Sequence, residues 1–257
     1  MQSIEQNGLC YLQFDSLNVK HAVFTRHGGV SPEPWSSLNV GGTVGDELTR
    51  VRENRILSFQ ALGCAPESIF DVWQIHSADA VCATAPRRTD DSYQQADIIL
   101  TDKPEVTLFM RFADCVPLLV HDPVNGVIGV SHAGWMGTLR DVATATVTAM
   151  MKNYGSKPAN IIVGIGPSIG PDHYEIGADV MLQVMQKFGD DSGLLLKSYD
   201  GKIHFDLWQA NRMLLERAGI QQIEVSQICT ACNTEDWFSH RAEKGRTGRF
   251  GALISLQ

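Results

Sequence analysis

Two histidines and one cysteine carry the most chemistry in this 257-residue chain. They are His76 in Trp73-Gln74-Ile75-His76-Ser77, Cys115 in Ala113-Asp114-Cys115-Val116-Pro117, and His132 in Ser131-His132-Ala133-Gly134-Trp135. Two imidazoles and a thiolate suit zinc, and three protein donors leave a fourth position open for water or substrate, the pattern of a catalytic metal. The same His2Cys set could hold one blue copper. A multinuclear copper centre needs many paired histidines, and the 8 histidines include none two residues apart. Cys115 follows His76 by 39 residues and His132 follows Cys115 by 17. No helix or hairpin makes neighbours at those separations, so tertiary structure has to assemble the three. On residue types alone the plainer alternative stays open: two hydrogen-bonded histidines and an inert buried cysteine.

The elements that must position them are legible as an alternation of short β-rich runs and a few helices. Segments 96–100, 106–110, 117–121, 126–130 and 160–164 read as buried strands. Segment 135–152 reads as one helix, with Leu139, Ala143, Val147, Met150 and Met151 on one stripe. A second helix is expected at 47–62, with Val51, Ile56, Leu57 and Leu62 inward and Gly63 as its stop. Others are expected at 177–188 and 206–218, the last with Asp206 as N-cap and Gly219 beyond its end. No linker divides the chain, so the expectation is one α/β domain over 1–257. His132 then follows a strand and directly precedes a helix N-terminus, whose partial positive charge favours an anion or a thiolate.

Other constellations are weaker. Gly164-Ile165-Gly166-Pro167-Ser168-Ile169-Gly170 has one residue too many for a dinucleotide fingerprint, and Pro167 removes a needed N–H, so it reads as a tight loop. Cys229-Thr230-Ala231-Cys232 is a C-x-x-C pair without a second pair. The H-x-E and P-C-x-x-C pattern of zinc nucleobase deaminases is absent. Arg241, Lys244, Arg246 and Arg249 form a basic stretch, and Thr25-Arg26-His27-Gly28-Gly29 places an arginine beside a Gly turn. The first is usually explained as solvated loop charge, with phosphate contact an alternative, and the second reads equally as an anion corner or a plain β-turn.

The formal charge of −8 argues against a nucleic-acid partner, though clustered arginines could still hold a small anion. The first residues show no basic-then-apolar leader, and no run is long enough to span a membrane. The expectation is a cytoplasmic protein whose six cysteines are thiols or metal ligands.

These segments together resemble the YfiH family, described both as laccase-like polyphenol oxidases and as purine nucleoside phosphorylases. The resemblance is carried by Thr25 to Gly29, Ser37-Leu38-Asn39, Val51-Arg52-Glu53-Asn54-Arg55, Gln74-Ile75-His76, Ala113 to Pro117 and His132-Ala133-Gly134-Trp135. It continues through Gly164 to Gly170, Tyr174-Glu175-Ile176-Gly177, Cys229-Thr230, Phe238-Ser239-His240-Arg241 and Thr247-Gly248-Arg249. It implies an α/β (α+β) sandwich-like fold with mixed sheets and flanking helices, and zinc on His76, Cys115 and His132. It implies phosphorolysis of adenosine, inosine and methylthioadenosine, with adenosine deamination as a second activity. A purine nucleoside and phosphate would be the small-molecule partners, with Arg26, Asn39 and Arg241 on substrate or phosphate. Asp114 would either transfer a proton or orient a metal ligand.

The alternatives are a metal-free Cys–His hydrolase with Cys115 as nucleophile, a peptidoglycan-precursor editing enzyme, a noncatalytic binding protein and a mononuclear copper polyphenol oxidase. The chain departs from the family at two places. Met136 stands where the family has Arg, and Thr43 precedes Val44-Gly45-Asp46 where the family often has His. Cys232 lies outside the family pattern.

Overall fold

The computed structural model describes residues 1–88 and 90–256. In chain order the first half contains β1 (Gln2–Gln6), β2 (Leu9–Gln13), β3 (Lys20–Phe24), α1 (Leu48–Ala61), β4 (Ile69–Phe70), β5 (Ala80–Cys82), β6 (Ile98–Thr101), β7 (Thr107–Phe112), β8 (Val116–Asp122) and β9 (Val127–Ala133). The second half contains α2 (Trp135–Leu139), α3 (Val142–Tyr154), β10 (Ile162–Ile165), α4 (Ala178–Phe188), α5 (Ser192–Leu195), β11 (Leu196–Tyr199), β12 (Lys202–Phe205), α6 (Leu207–Arg217), β13 (Gln222–Val225) and β14 (Phe250–Ser255).

Two six-stranded sheets, in the orders β1-β2-β3-β14-β7-β4 and β13-β10-β8-β9-β6-β5, stack face to face, and β11 and β12 form a separate pair. Most pairings are antiparallel. The exceptions are β4 with β7, β5 with β6 and β10 with β13, so both large sheets are mixed.

The apolar runs alternate between two cores. Along β8, Val116, Leu118 and Val120 face the core under α3 and α6, while Leu119 faces the opposite sheet. Along β7, Leu108, Met110 and Phe112 point between the sheets, while Phe109 joins Phe59 of α1 on the far side. The layers are therefore helix, sheet, sheet, helices. A strand covered on both faces has no solvated side, which explains the unbroken apolar runs in the sequence. The mixed-sheet sandwich with flanking helices is the expected fold.

The helix expected at 135–152 is two helices. Asp141 between them adopts the left-handed conformation, with φ of 71°. Its side chain supports that kink: Oδ1 accepts from the Thr144 hydroxyl and Oδ2 from the Lys187 ammonium, both at 2.7 Å. Ala143, Val147 and Met150 are buried as the stripe requires, whereas Met151 and, on α1, Ile56 face solvent. Asp206 caps α6 by accepting from the Gln209 N–H at 2.9 Å. No helix among the described residues is long and apolar enough to cross a membrane.

Candidate active site

The fold brings the three predicted donors together. One donor atom each from His76, Cys115 and His132 lies within 4.8 Å of the other two. His132 is the penultimate residue of β9 and Cys115 directly precedes β8. These strands pair with Val116 opposite Ala133 and Pro117 opposite His132, which fixes the thiol beside the imidazole. His76 comes from the connection between β4 and β5 and packs against His132 with the rings tilted by 48° and their centroids 4.8 Å apart.

His76 has φ of 59° and Asp114 φ of 78°, a region costly for residues with a Cβ. Such strain persists only where surroundings impose it. For His76 the restraint is Asp97, fully buried at the start of β6. Asp97 Oδ2 accepts from the backbone N–H of Ile75 at 3.1 Å and of Ser77 at 2.6 Å, gripping the chain on both sides of His76. Its Oδ1 pairs with His132 Nδ1 at 2.8 Å. One carboxylate thus orients two donors, and it leaves His132 Nε2 for the cluster. Burial would push the Asp97 carboxyl up, but the His132 pairing and the two N–H groups hold it below the usual carboxylate range.

Burial alone would raise the Cys115 thiol. The neighbouring His132 and His76 rings outweigh it and bring the thiol down to about 6. Burial alone would lower His132, yet the Cys115 thiolate and Asp97 lift it to about 9. Between those values the pair is thiolate and imidazolium.

The donor set fits a metal ion on two further observations. His76 Nδ1 is buried without a hydrogen-bond partner among the described residues. A Cβ on Gly134 would stand 2.9 Å from both Cys115 Sγ and His76 Nδ1, so glycine there leaves the space between the donors clear.

The three donors lie on the wall of a cleft of about 720 Å³. Five arginines, Arg52, Arg55, Arg111, Arg241 and Arg249, line it, and Asp114 is the sole lining carboxylate among the described residues. Trp73, Tyr93, Trp135 and Tyr174 supply flat apolar surface. Behind the wall, buried Asp71 meets Arg87 at 2.8 Å, Arg55 at 3.5 Å and Arg111 at 3.6 Å, leaving a local surplus of positive charge. Burial and the adjacent Arg55 pull Arg111 down to about 10, so it stays charged at neutral pH. Gln74 fixes Arg111, accepting from its backbone N–H and Nε and donating to its carbonyl. A chain of net charge −8 therefore contains a cationic pocket.

The remaining expected site residues divide. Arg241 lines the cleft, stacks on Tyr174 at 5.1 Å and donates to the Glu175 carbonyl at 2.9 Å. Arg26 is not a lining residue. Its guanidinium donates to the carbonyls of Ser36 and Thr234, pairs with Glu243 and covers the Phe238 ring. Asn39 is fully buried, and its Oδ1 accepts from the N–H groups of Gly41 and Arg249. Arg26 and Asn39 hold the loops that frame the cleft, and Asn39 acts on Arg249.

Asp114 uses both oxygens on structure: Oδ1 accepts from the Thr230 hydroxyl and Oδ2 from the Arg241 N–H, each at 2.7 Å. Orientation of a donor, weighed for Asp114, belongs to Asp97. Of the two departures from the family pattern, Thr43 lines the cleft and Met136 does not.

The cleft thus combines five arginines with three metal-competent donors, a lining chemically suited to a small anion. The chain belongs to the YfiH family: over residues 20–257 it matches the family described as multi-copper polyphenol oxidoreductase laccase. It is 39% identical over 250 residues to a purine nucleoside phosphorylase of Deinococcus radiodurans, covering 97% of this chain and 94% of that protein. It is 34% identical to the purine nucleoside phosphorylase YfiH of Escherichia coli K12, covering 90% and 91%. The crystal structure of YlmD from Geobacillus stearothermophilus superposes with a TM-score of 0.91 at 32% identity, covering 99% of this chain and 98% of that one.

Proposed function

We propose that this chain is a zinc-dependent enzyme that cleaves purine nucleosides with phosphate. Adenosine, inosine and methylthioadenosine are its substrates and adenosine deamination is a second activity. The observation that carries the reading is the cleft itself, where five arginines share one space with His76, Cys115 and His132. The names of the relatives at 34% and 39% identity agree with it.

In phosphorolysis a phosphate oxygen bonds to C1′ of the ribose as the C1′–N9 bond breaks. The purine leaves with that electron pair and takes up a proton. The sugar is cationic at the transition state, so positioning the phosphate and placing charge carry most of the rate. Arg241 is held at the rim by the Glu175 carbonyl and by Asp114 through its backbone, so it is preorganised to grip an oxyanion. Arg52 is exposed and has no hydrogen-bond or ion-pair partner among the described residues, leaving its whole fork for an anion. Trp73, Tyr93, Trp135 and Tyr174 offer faces for a purine.

His76, Cys115 and His132 would hold the zinc, which supplies a Lewis-acidic charge beside the bound substrate. Copper on the same donors would be mononuclear. Asp97 keeps His132 in the tautomer that presents Nε2. For deamination, Asp114 would have to release Thr230 or the Arg241 N–H before it could carry a proton.

The test is product chemistry. Adenosine with phosphate should yield adenine and ribose 1-phosphate in equal amounts, and without phosphate no adenine. Inosine formation indifferent to phosphate would contradict phosphorolysis as the main activity.

A second reading rests on one arrangement: Asp97, His132 and Cys115 stand in the order orienting acid, base and nucleophile. A Cys–His hydrolase acting on an amide would form an acyl-thioester on Cys115, detectable as added mass. It would turn over in metal-free protein, where the phosphorylase would not.

A further inference from the structure

A second group of donors lies outside the cleft. Asp172, His173, Cys229 and Cys232 each offer one ligand atom, and the four atoms fall within 4.8 Å of one another. We propose that these residues bind a second metal ion, zinc, in a closed four-donor site that clips the loop around 170–175 to the loop around 228–233. The proposal is independent of which reaction the cleft performs.

The distances lie within a few tenths of an ångström of the edges of a tetrahedron. Zinc with sulfur at about 2.3 Å and nitrogen or oxygen at about 2.0 Å sets its donors about 3.2–3.8 Å apart. Here Cys232 Sγ is 3.0 Å from Asp172 Oδ2 and 3.3 Å from His173 Nδ1, Asp172 Oδ2 is 3.0 Å from His173 Nδ1, and Cys229 Sγ is 3.9 Å from His173 Nδ1. Two thiols, one imidazole and one carboxylate form a donor set that zinc takes with no position left for water, the mark of a structural site.

The backbone around it is built for close approach. Gly170 N–H donates to Cys229 Sγ at 3.1 Å. A Cβ at Gly170 would meet Asp172 Oδ1 at 2.6 Å and Cys229 Cβ at 3.0 Å. Cys229 is buried and fixed by the bridge between Ser168 and Cys229, while Asp172, His173 and Cys232 are exposed and leave an entry path.

Both loops support the cleft. The first carries Tyr174, under the Arg241 guanidinium, and the Glu175 carbonyl that accepts from it. The second carries Thr230, whose hydroxyl donates to Asp114, which in turn accepts the Arg241 N–H. A metal at the clip would therefore brace the two supports of one cleft arginine.

The test is zinc counting by elemental mass spectrometry on protein purified with reductant and exchanged into metal-free buffer. Wild type should carry two zinc ions per chain. Cys232→Ser and His173→Gln, both at exposed positions, should each carry one, and so should Cys115→Ala. Brief chelation should remove the clip ion first and lower the melting temperature of wild type but not of Cys232→Ser. Equal zinc in wild type and Cys232→Ser would overturn the proposal, as would a Cys229–Cys232 disulfide that persists with zinc present. Loss of one zinc in Cys232→Ser with none lost in Cys115→Ala would sustain the clip and remove the cleft metal instead.

Discussion

The cleft donors and the rim donors draw on the same residue types and differ in how they are held. His76, Cys115 and His132 come from three distant segments. They sit between two sheets and number three, and the two histidines share Asp97 as a brace. Asp172, His173, Cys229 and Cys232 come from two short pairs on loops, lack such a brace and number four. With a metal bound, the first arrangement would leave a coordination position facing the cleft and the second would close on itself. Donor count and burial, more than donor identity, separate a centre that can work on a substrate from one that can only hold chain together.

The comparison breaks most sharply at His132. Replacing it with Gln removes a cleft donor and should lower kcat/KM for phosphorolysis by about 10³-fold or more, given the several kcal/mol a metal contributes. Cys232→Ser should leave kcat within a few-fold, about 1 kcal/mol or less. Similar losses for both would erase the distinction between working and bracing sites.

Thiol reactivity sharpens it next. In metal-free protein the Cys115 thiolate should appear as pH rises through about 6. Iodoacetamide labelling at neutral pH should then be near its plateau, whereas a thiol with an ordinary midpoint would be mostly protonated. Zinc should abolish the labelling. A midpoint near 9 at Cys115, read by peptide mass spectrometry, would show that the histidines do not act on it.

Asp97→Asn retains the shape but weakens the brace on both histidines. Zinc affinity should fall about 10- to 100-fold with the fold preserved, measured by competition with a chromophoric chelator. Unchanged affinity would mean that backbone alone sets the donors.

The smallest effects separate the two arginines singled out from sequence. Arg241→Ala should raise KM for phosphate about tenfold, the worth of a charge-assisted hydrogen bond, with little change in melting temperature. Arg26→Ala should do the reverse and destabilise by about 2 kcal/mol through lost buried contacts, leaving KM for phosphate unchanged.

Much of this was legible before the fold was known. The apolar runs marked the strands because each is covered on both faces. The three cleft donors stood out by type, though their proximity did not follow from their spacing, and the family resemblance joined them. Asp97 looks like one polar residue opening an apolar strand, yet a carboxylate in a fully buried run requires a partner. Arg111, alone within Thr107–Phe112, carried the same signal. The break at Asp141 is not marked in the sequence, because its left-handed turn depends on Thr144 and the distant Lys187. Cys232 has no second C-x-x-C pair to join, and its partners are an Asp-His pair 59 residues away and more in the chain.

The most direct test of the central claim is to measure zinc content together with phosphate-dependent adenine release from adenosine in wild type and Cys115→Ala. The account predicts that the variant loses one zinc per chain and, with it, adenine release. Full adenine release from a variant that has lost that zinc, or full zinc in a variant that has lost release, would contradict a metal held by Cys115 as the working centre of the cleft.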